Sequence, residues 1–164
     1  MSEEIEKKAK EFARKKMHLR SRRATPKVSR KKSRWSPGLL KKVSEIELET
    51  TNERARSKRM VVRIEDDTGD TIGWRYSDVA IGAKKVKITE EDALQIAKTE
   101  LEEIPEDAKL DSVRLLNRGT AGFTYNVRWN HIVEDIPVEG DFLVVKINPE
   151  TGEVTSVTKN WSVL

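Results

Sequence analysis

The sequence contains no cysteine among its 164 residues. Disulfide bonds, thiolate metal sites and cysteine nucleophiles are therefore excluded. Long apolar runs are also missing, because no stretch approaches the roughly 20 apolar residues that a membrane span needs. No apolar run follows the early charges, as one would in a signal peptide. As written, the sequence predicts a cytoplasmic protein; an extracytoplasmic location is the alternative if Met1 is not the natural start.

Histidine is scarce, with only His18 and His131. Neither has a second histidine or a carboxylate at the spacing of a zinc site, so we predict no metal site and no cofactor. No glycine-rich phosphate loop and no Ser–His pairing can be built. Asp67-Thr68-Gly69 has the letters of an aspartic peptidase site, but acidic neighbours surround it and turn chemistry explains it better. The sequence therefore predicts a protein that is not an enzyme.

Acidic residues are scarce in one part of the sequence. Between Lys7 and Lys42 there are 16 Lys or Arg residues and one acid, Glu11, whereas Val43–Leu164 carries a net charge of −8. A basic segment of this kind either binds an anionic partner such as nucleic acid or meets the acidic part of the chain. The residues that would contact nucleic acid are Arg20, Arg22, Arg23, Lys27, Arg30, Lys31, Lys32, Arg34 and Trp35.

One line of the sequence occurs twice. Val61–Asp70 reads VVRIEDDTGD, and Val144–Glu153 reads VVKINPETGE. In both copies β-forming residues precede a polar turn that ends in Thr-Gly-acid. A repeated strand–turn–strand indicates that one structural unit was used twice.

The second copy follows a well-marked helix. Thr89 is a predicted N-cap, with Asp92 at the third helical position to complete a capping box. Pro105 is the predicted end of the helix. An apolar stripe recurs at helical spacing between them: Leu94, Ala97, Leu101 and Ile104.

After this helix the apolar pattern changes to a period of two, which is typical of strands. Phe123–Trp129 places four apolar side chains on one face. Pro137 breaks the pattern and indicates an edge strand or a bulge. Strands follow at Phe142–Ile147 and Val154–Trp161, joined by a tight turn at Asn148–Gly152. The fold class predicted is α+β, with one helix packed on a four-stranded antiparallel sheet.

The first half follows the same order less closely. A narrow apolar stripe near the N-terminus precedes a basic strand at Lys27–Trp35, and Ile46, Leu48 and Thr50 then alternate with glutamates. We predict two tandem units, a degenerate first copy over residues 1–80 and a second unit over residues 84–164. The alternative is that residues 1–42 form a flexible basic arm.

The second half resembles a PepSY-type domain, and it is also similar to the fungalysin/thermolysin propeptide module. The resemblance covers about half of the chain, Lys84–Leu164. The first half lacks a counterpart of one of the pieces that carry it, IPVEGD. Those pieces are ITEEDALQIAKTEL (88–101), FTYNVRW (123–129), IPVEGD (136–141), VVKINPETGEV (144–154) and Trp161.

The resemblance implies a non-enzymatic module of a kind that inhibits or assists peptidases. We therefore predict a protein- or peptide-binding module, with regulation of a peptidase as the specific form, and nucleic-acid binding as the alternative. Of Trp74, Tyr76, Trp129 and Trp161, we expect three to be buried. An extended peptide would pair with a sheet edge. The predicted peptide-binding residues are Trp129, Ile136, Pro137, Val138 and Asp141.

Overall fold

The computed structural model describes residues 2–16, 27–36, 41–51, 57–76 and 83–161. The chain divides into two compact units, Met1–Asp78 and Val79–Leu164. Three of the predicted nucleic-acid contacts, Arg20, Arg22 and Arg23, lie outside the described residues.

The first unit contains one helix and four antiparallel strands. Each strand pairs with the next along the chain, so the order is β1-β2-β3-β4. The structure thus places a helix and a strand within residues 1–42, the stretch for which a flexible arm was the alternative. The elements are α1 (Ser2–Lys16), β1 (Lys27–Ser36), β2 (Lys41–Thr51), β3 (Ser57–Glu65) and β4 (Thr71–Tyr76).

Helix α1 covers one face of this sheet with the narrow stripe that the sequence predicts. Ile5, Ala9 and Ala13 are buried. The ring centroids of Phe12 and Trp74 are 6.4 Å apart. Small alanines allow the helix to approach the sheet closely, while larger side chains on β2, β3 and β4 supply the volume. The fully buried ones on the strands are Val43, Ile46, Leu48, Met60, Val62 and Ile64.

The second unit has the same element order. Its four antiparallel strands also pair in sequence, β5-β6-β7-β8. The predicted α+β class, with a helix on a four-stranded antiparallel sheet, is confirmed. The elements are α2 (Glu90–Leu101), β5 (Ala108–Asn117), a 3-10 turn (Gly119–Ala121), β6 (Phe123–Val133), β7 (Ile136–Ile147) and β8 (Val154–Asn160).

Helix α2 begins at the predicted cap and ends earlier than predicted. The Thr89 hydroxyl accepts the Asp92 backbone N–H, and the Asp92 carboxylate accepts the Thr89 N–H, which lowers the pKa of Asp92. The helix ends at Leu101 because Glu102 has φ of 56° and ψ of −56°, which lie outside the helical region. Pro105 lies beyond this end, so it is not the residue that stops the helix.

The core of the second unit lies between α2 and one face of the sheet. Tyr125, Val127 and Trp129 alternate along β6 and are all buried, as the period-two pattern predicts. The Tyr125 hydroxyl donates to the Ile88 carbonyl at 2.9 Å, which ties the start of the helix to the sheet. Burial raises the pKa of Tyr125, and the carboxylates of the first helical turn add to that effect.

The two copies of the repeated line form the same turn. Gly69 and Gly152 both have positive φ, 73° and 78°. Each donates its N–H over 2.8 Å to the carbonyl four residues earlier, in Glu65 or Asn148. In each strand a register shift occurs directly before the isoleucine of the repeated line. The segments around the two glycines therefore have matching backbones.

Two further sequence expectations need correction. Strand β7 starts at Ile136 rather than Phe142, because a two-residue turn reverses the chain and Pro137 pairs with Ile132, next to a register shift between β6 and β7. This position agrees with the predicted bulge. Of the four large aromatic residues discussed above, only Trp74 and Trp129 are buried, whereas Tyr76 and Trp161 are half-buried.

Candidate functional site

The second unit contains a buried histidine at the end of its core-facing row. His131 continues the alternation of Tyr125, Val127 and Trp129 along β6, so its side chain points toward the same face of the sheet. Only 2% of the residue is exposed. Charged or polar rings are costly to bury unless each polar atom has a partner. The surroundings of His131 therefore decide what this part of the protein can do.

Both ring nitrogens of His131 face a carboxylate. Nδ1 lies 2.8 Å from Oδ2 of Asp141, and Nε2 lies 2.6 Å from Oδ2 of Asp107. The Asp141 side chain is 1% exposed, whereas that of Asp107 is 42% exposed. A neutral imidazole has one donor and one acceptor, and an ionised carboxylate only accepts. Two ionised carboxylates at these distances are both satisfied only when both ring nitrogens carry a proton.

The pKa of His131 reflects two opposing effects. Burial lowers this pKa because it disfavours the charged ring. Hydrogen bonds to Asp141 and Asp107, together with their negative charges, raise it, and they prevail. The pKa of His131 is therefore above its ordinary value, which agrees with the geometry of an imidazolium held between two carboxylates.

Trp161 completes this site. Its ring stacks on the His131 ring with 4.2 Å between centroids and an angle of 15° between planes. A cation over the face of a tryptophan is stabilised by the ring quadrupole. We call Asp107, His131, Asp141 and Trp161 the histidine cluster. It joins the residue before β5, two adjacent strands and the residue after β8.

The histidine cluster has little catalytic capacity. A general base needs a free lone pair and access to substrate, whereas both nitrogens of His131 are hydrogen-bonded and the ring is buried. Within the described residues, no group of three or more His, Asp or Glu side chains is arranged to hold a metal ion. The arrangement instead fixes three segments of the second unit through one charge.

The predicted peptide-binding residues fall into two groups. Trp129 and Asp141 are buried, with 3% and 4% exposure, so they cannot contact a partner. Ile136 and Pro137 are exposed, and Val138 is half-buried. The reason is that side chains alternate along β7, so the Asp141 side chain points toward the core. The residues near the hairpin turn extend past the core. The exposed members lie together at the β6–β7 turn.

Strand β1 carries the described part of the predicted nucleic-acid site: Lys27, Arg30, Lys31, Lys32, Arg34 and Trp35. Lys31 forms an ion pair with Glu6 at 3.9 Å. Strand β2 places a glutamate opposite three of these basic residues, which reduces the positive charge that this part of the sheet offers to a phosphate backbone. The opposed pairs are Lys27 with Glu49, Arg30 with Glu47 and Lys32 with Glu45.

The Asp67-Thr68-Gly69 triplet lies in the exposed hairpin turn between β3 and β4. Asp67 and Asp70 are exposed, and the Thr68 hydroxyl accepts the Asp70 N–H at 3.1 Å. An aspartic peptidase site needs two carboxylates close together and shielded from water. The triplet therefore has the turn role that the sequence indicates.

The stretch of sequence that forms the helix and strands of the second unit also matches a known family. Residues 87–158 match the PepSY family model, described as "Peptidase propeptide and YPEB domain". The second unit is a PepSY-type domain. Three of the four residues of the histidine cluster lie within the matched range, and the fourth, Trp161, lies just beyond that range.

A solved structure shares the fold. The Bacillus megaterium YpeB C-terminal domain is similar to this chain with a TM-score of 0.62 and 16% sequence identity. The match covers 94% of this chain and 62% of that structure, so the chain spans less than two thirds of its length. No curated protein matches the sequence significantly. Among the helices of the described residues, none has the length and apolar character needed to cross a membrane.

The histidine cluster of the PepSY-type domain was not predicted from the sequence, although part of its signal is present there. His131 has the same parity along β6 as Tyr125 and Trp129, and Asp141 has the same parity along β7 as the buried Leu143. Polar residues at core-facing positions indicate a buried polar pair. Asp107 carries no such signal, because it lies in a loop and reaches His131 only through strand pairing.

Proposed function

We propose that this protein is a non-catalytic protein-binding module that regulates a peptidase, and that the tip of the β6–β7 hairpin is its contact surface. The PepSY match supports the peptidase connection, since the family description names peptidase propeptides. One observation carries the choice of surface. Ile136 is 66% exposed, more than any other exposed large apolar residue of the described chain.

The hairpin tip has features that favour contact with a partner over local stability of the turn. Its two turn residues, Glu134 and Asp135, have φ of 50° and 65°. Two-residue turns of this kind favour Asn, Asp and Gly, because most other residues are strained at positive φ. Asp135 meets this preference, but Glu134 does not, and the exposed Ile136 follows them. Strained backbone beside an exposed apolar side chain is typical of a contact site rather than of a simple connection.

The base of the same hairpin is held firmly. His131 on β6 and Asp141 on β7 lie on its two strands, and their 2.8 Å contact is buried. A tip on a fixed base loses little conformational freedom when a partner binds, which favours affinity. The histidine cluster therefore supports the proposed surface without touching the partner.

The proposal is tested by peptidase inhibition. The full chain is added to a panel of metallopeptidases, and hydrolysis of a peptide substrate is measured. We expect slowed turnover of at least one enzyme, with an inhibition constant that rises about 30-fold or more in Ile136→Asp, since loss of a central apolar contact costs about 2 kcal/mol.

Val86→Asp is the matched control, because Val86 is also an exposed apolar residue of the second unit, at 41%. It should inhibit as the wild type does. Equal weakening by both variants would show that the hairpin tip is not the contact. No inhibition and no binding across the panel would remove the peptidase role.

We also propose that the first unit is a diverged copy of the PepSY-type domain. The support is the shared element order and the matching turns at Gly69 and Gly152. The family match itself covers only the second unit. Nucleic-acid binding through residues 14–42 stays a prediction; a mobility shift that weakens steeply between two salt concentrations would support it.

A further inference from the structure

Strand β5 offers an open edge in the second unit. It pairs with β6 on one side, and no strand of the described residues pairs with its other side. Two of the four exposed large apolar side chains of the described chain lie on it, Leu110 at 45% and Leu115 at 39%. An open edge with exposed apolar residues is a template for pairing with another strand.

A bulge brings these apolar residues onto one face. Leu110 lies opposite Trp129 and Leu115 opposite Tyr125, although five positions separate the two leucines. This is possible because the register shifts between Leu110 and Ser112, leaving Asp111 without an opposite residue. Val113, opposite the buried Val127, lies between them. The three form an apolar row on the face that α2 covers.

The row is complementary to itself in an antiparallel arrangement. If two β5 strands pair about a two-fold axis at Val113, Leu110 of each copy lies opposite Leu115 of the other. Val113 then meets its own equivalent. An isologous contact needs a row of residues that is complementary to itself when reversed, because the same patch serves both subunits.

The charges on the opposite face agree with the same arrangement. Arg114 lies opposite Ser112 of the second copy, and Asp111 is adjacent to Ser112, whose hydroxyl lies 3.2 Å from the Asp111 carboxylate. Each Arg114 therefore approaches an Asp111 of the other copy, and symmetry makes the pair twice. Asp111 and Arg114 are both exposed in the single chain.

We propose that β5 is a dimerisation edge that pairs with β5 of a second copy of this chain. Lys109 and the bulge limit pairing with strands of other sequence, because a charge or an extra residue without a matching position is unfavourable. The contact surface is small, with three apolar residues from each copy. We therefore expect a weak, concentration-dependent dimer.

Sedimentation velocity of the full chain over a wide concentration range tests this proposal. The wild type should shift from monomer to dimer as concentration rises. Asp111→Arg and Arg114→Asp should each weaken the dimer about fivefold or more, because each creates two like-charge contacts. The double variant should dimerise as the wild type does, since the opposite charges face each other again.

A mixture sharpens the result. Equal amounts of Asp111→Arg and Arg114→Asp should form a mixed dimer more readily than either variant alone, since only the mixed pair has opposite charges at both contacts. Asp67→Arg changes the net charge as Asp111→Arg does, but it lies in the exposed turn of the first unit and should have no effect.

A monomer at every concentration would overturn the proposal. So would a dimer that ignores the charge exchange, because it would use another face. Binding of an unrelated extended peptide to β5 of a monomeric chain would also contradict it. None of these outcomes depends on Ile136, so the proposal stands or falls separately from peptidase regulation.

Discussion

The two units share one arrangement of a helix and four strands, which we call the frame. They differ in the residues at one end of it. In the first, Leu48 pairs with Met60; in the second, Trp129 pairs with Leu143. Two positions further toward the same end, the second unit has the side-chain contact between His131 and Asp141. The first unit has Thr50 opposite Lys58. The shared elements specify the fold, while the histidine cluster, within the described residues, belongs to the second unit alone.

The units also differ in where along the sheet a buried polar contact lies. In the first, the buried Ser44 hydroxyl donates to the Asp66 carboxylate at 2.6 Å, next to the repeated turn. In the second, the turn residue corresponding to Asp66 in the repeated line is Pro149, and the buried contact between His131 and Asp141 lies at the far end of the strands. These two contacts therefore lie at opposite ends of the shared frame.

Removing the histidine should have the largest effect on this comparison. In His131→Phe the buried Asp141 loses the imidazolium that balances its charge, and removal of one partner of a buried ion pair costs about 3–5 kcal/mol. We expect the second unit to lose that much of its free energy of unfolding. Hydrogen exchange measured residue by residue should show faster exchange in β6 and β7. Unchanged protection there would contradict a stabilising role for the cluster.

A second variant separates charge from volume. Asp107→Asn keeps an acceptor near Nε2 at a position that is 42% exposed on the side chain. We expect it to cost less than His131→Phe, because water can reach that end of the cluster. An equal loss from both variants would mean that the contact of His131 with the partly exposed Asp107, rather than the one with the buried Asp141, supplies the stabilisation.

The pH dependence of stability should also distinguish the units. The pKa of His131 is raised in the folded state above its ordinary value of 6.5. Its stabilising contribution is therefore complete below about pH 6.5 and is lost as pH rises through the raised pKa. Urea unfolding of the second unit should become easier over that range, and His131→Phe should abolish the dependence. A flat profile in the wild type would contradict the charged state of the ring.

The sequence predicted the frame because local signals agreed with one another. The capping box at Thr89, the alternation in β6 and the repeated turn each specify their element within a few residues. The histidine cluster was missed because it depends on contacts between distant segments. Asp107 reaches His131 over 24 positions in the chain, through strand pairing that no local pattern encodes. The early end of α2 was missed for a related reason, since Glu102 is not a residue that favours positive φ.

In the first unit, Ser44→Ala should have a moderate effect. The Asp66 carboxylate would lose its shortest hydrogen bond and keep the 3.2 Å contact with the Ser33 hydroxyl. A hydrogen bond to a charged group contributes about 1.5–3 kcal/mol. We expect a loss in that range from the first unit, measured by urea unfolding and hydrogen exchange in β2 and β3. Because no histidine is involved, the loss should be the same on both sides of pH 6.5, unlike that of His131→Phe.

The smallest expected difference lies between Gly69→Ala and Gly152→Ala. Both glycines have φ near 75°, so a Cβ costs about 1–2 kcal/mol in either turn. At Gly152 the new methyl would make an ordinary contact with Ile96, at 3.5 Å. At Gly69 it would displace the end of the flexible Lys8 side chain, which has only a 3.5 Å bond to the Gly69 carbonyl to lose. Losses within about 0.5 kcal/mol of each other in urea unfolding would show that the turns are equivalent in energy as well as in geometry. A much larger loss at one glycine would mean that the repeated line has acquired a separate role in that unit.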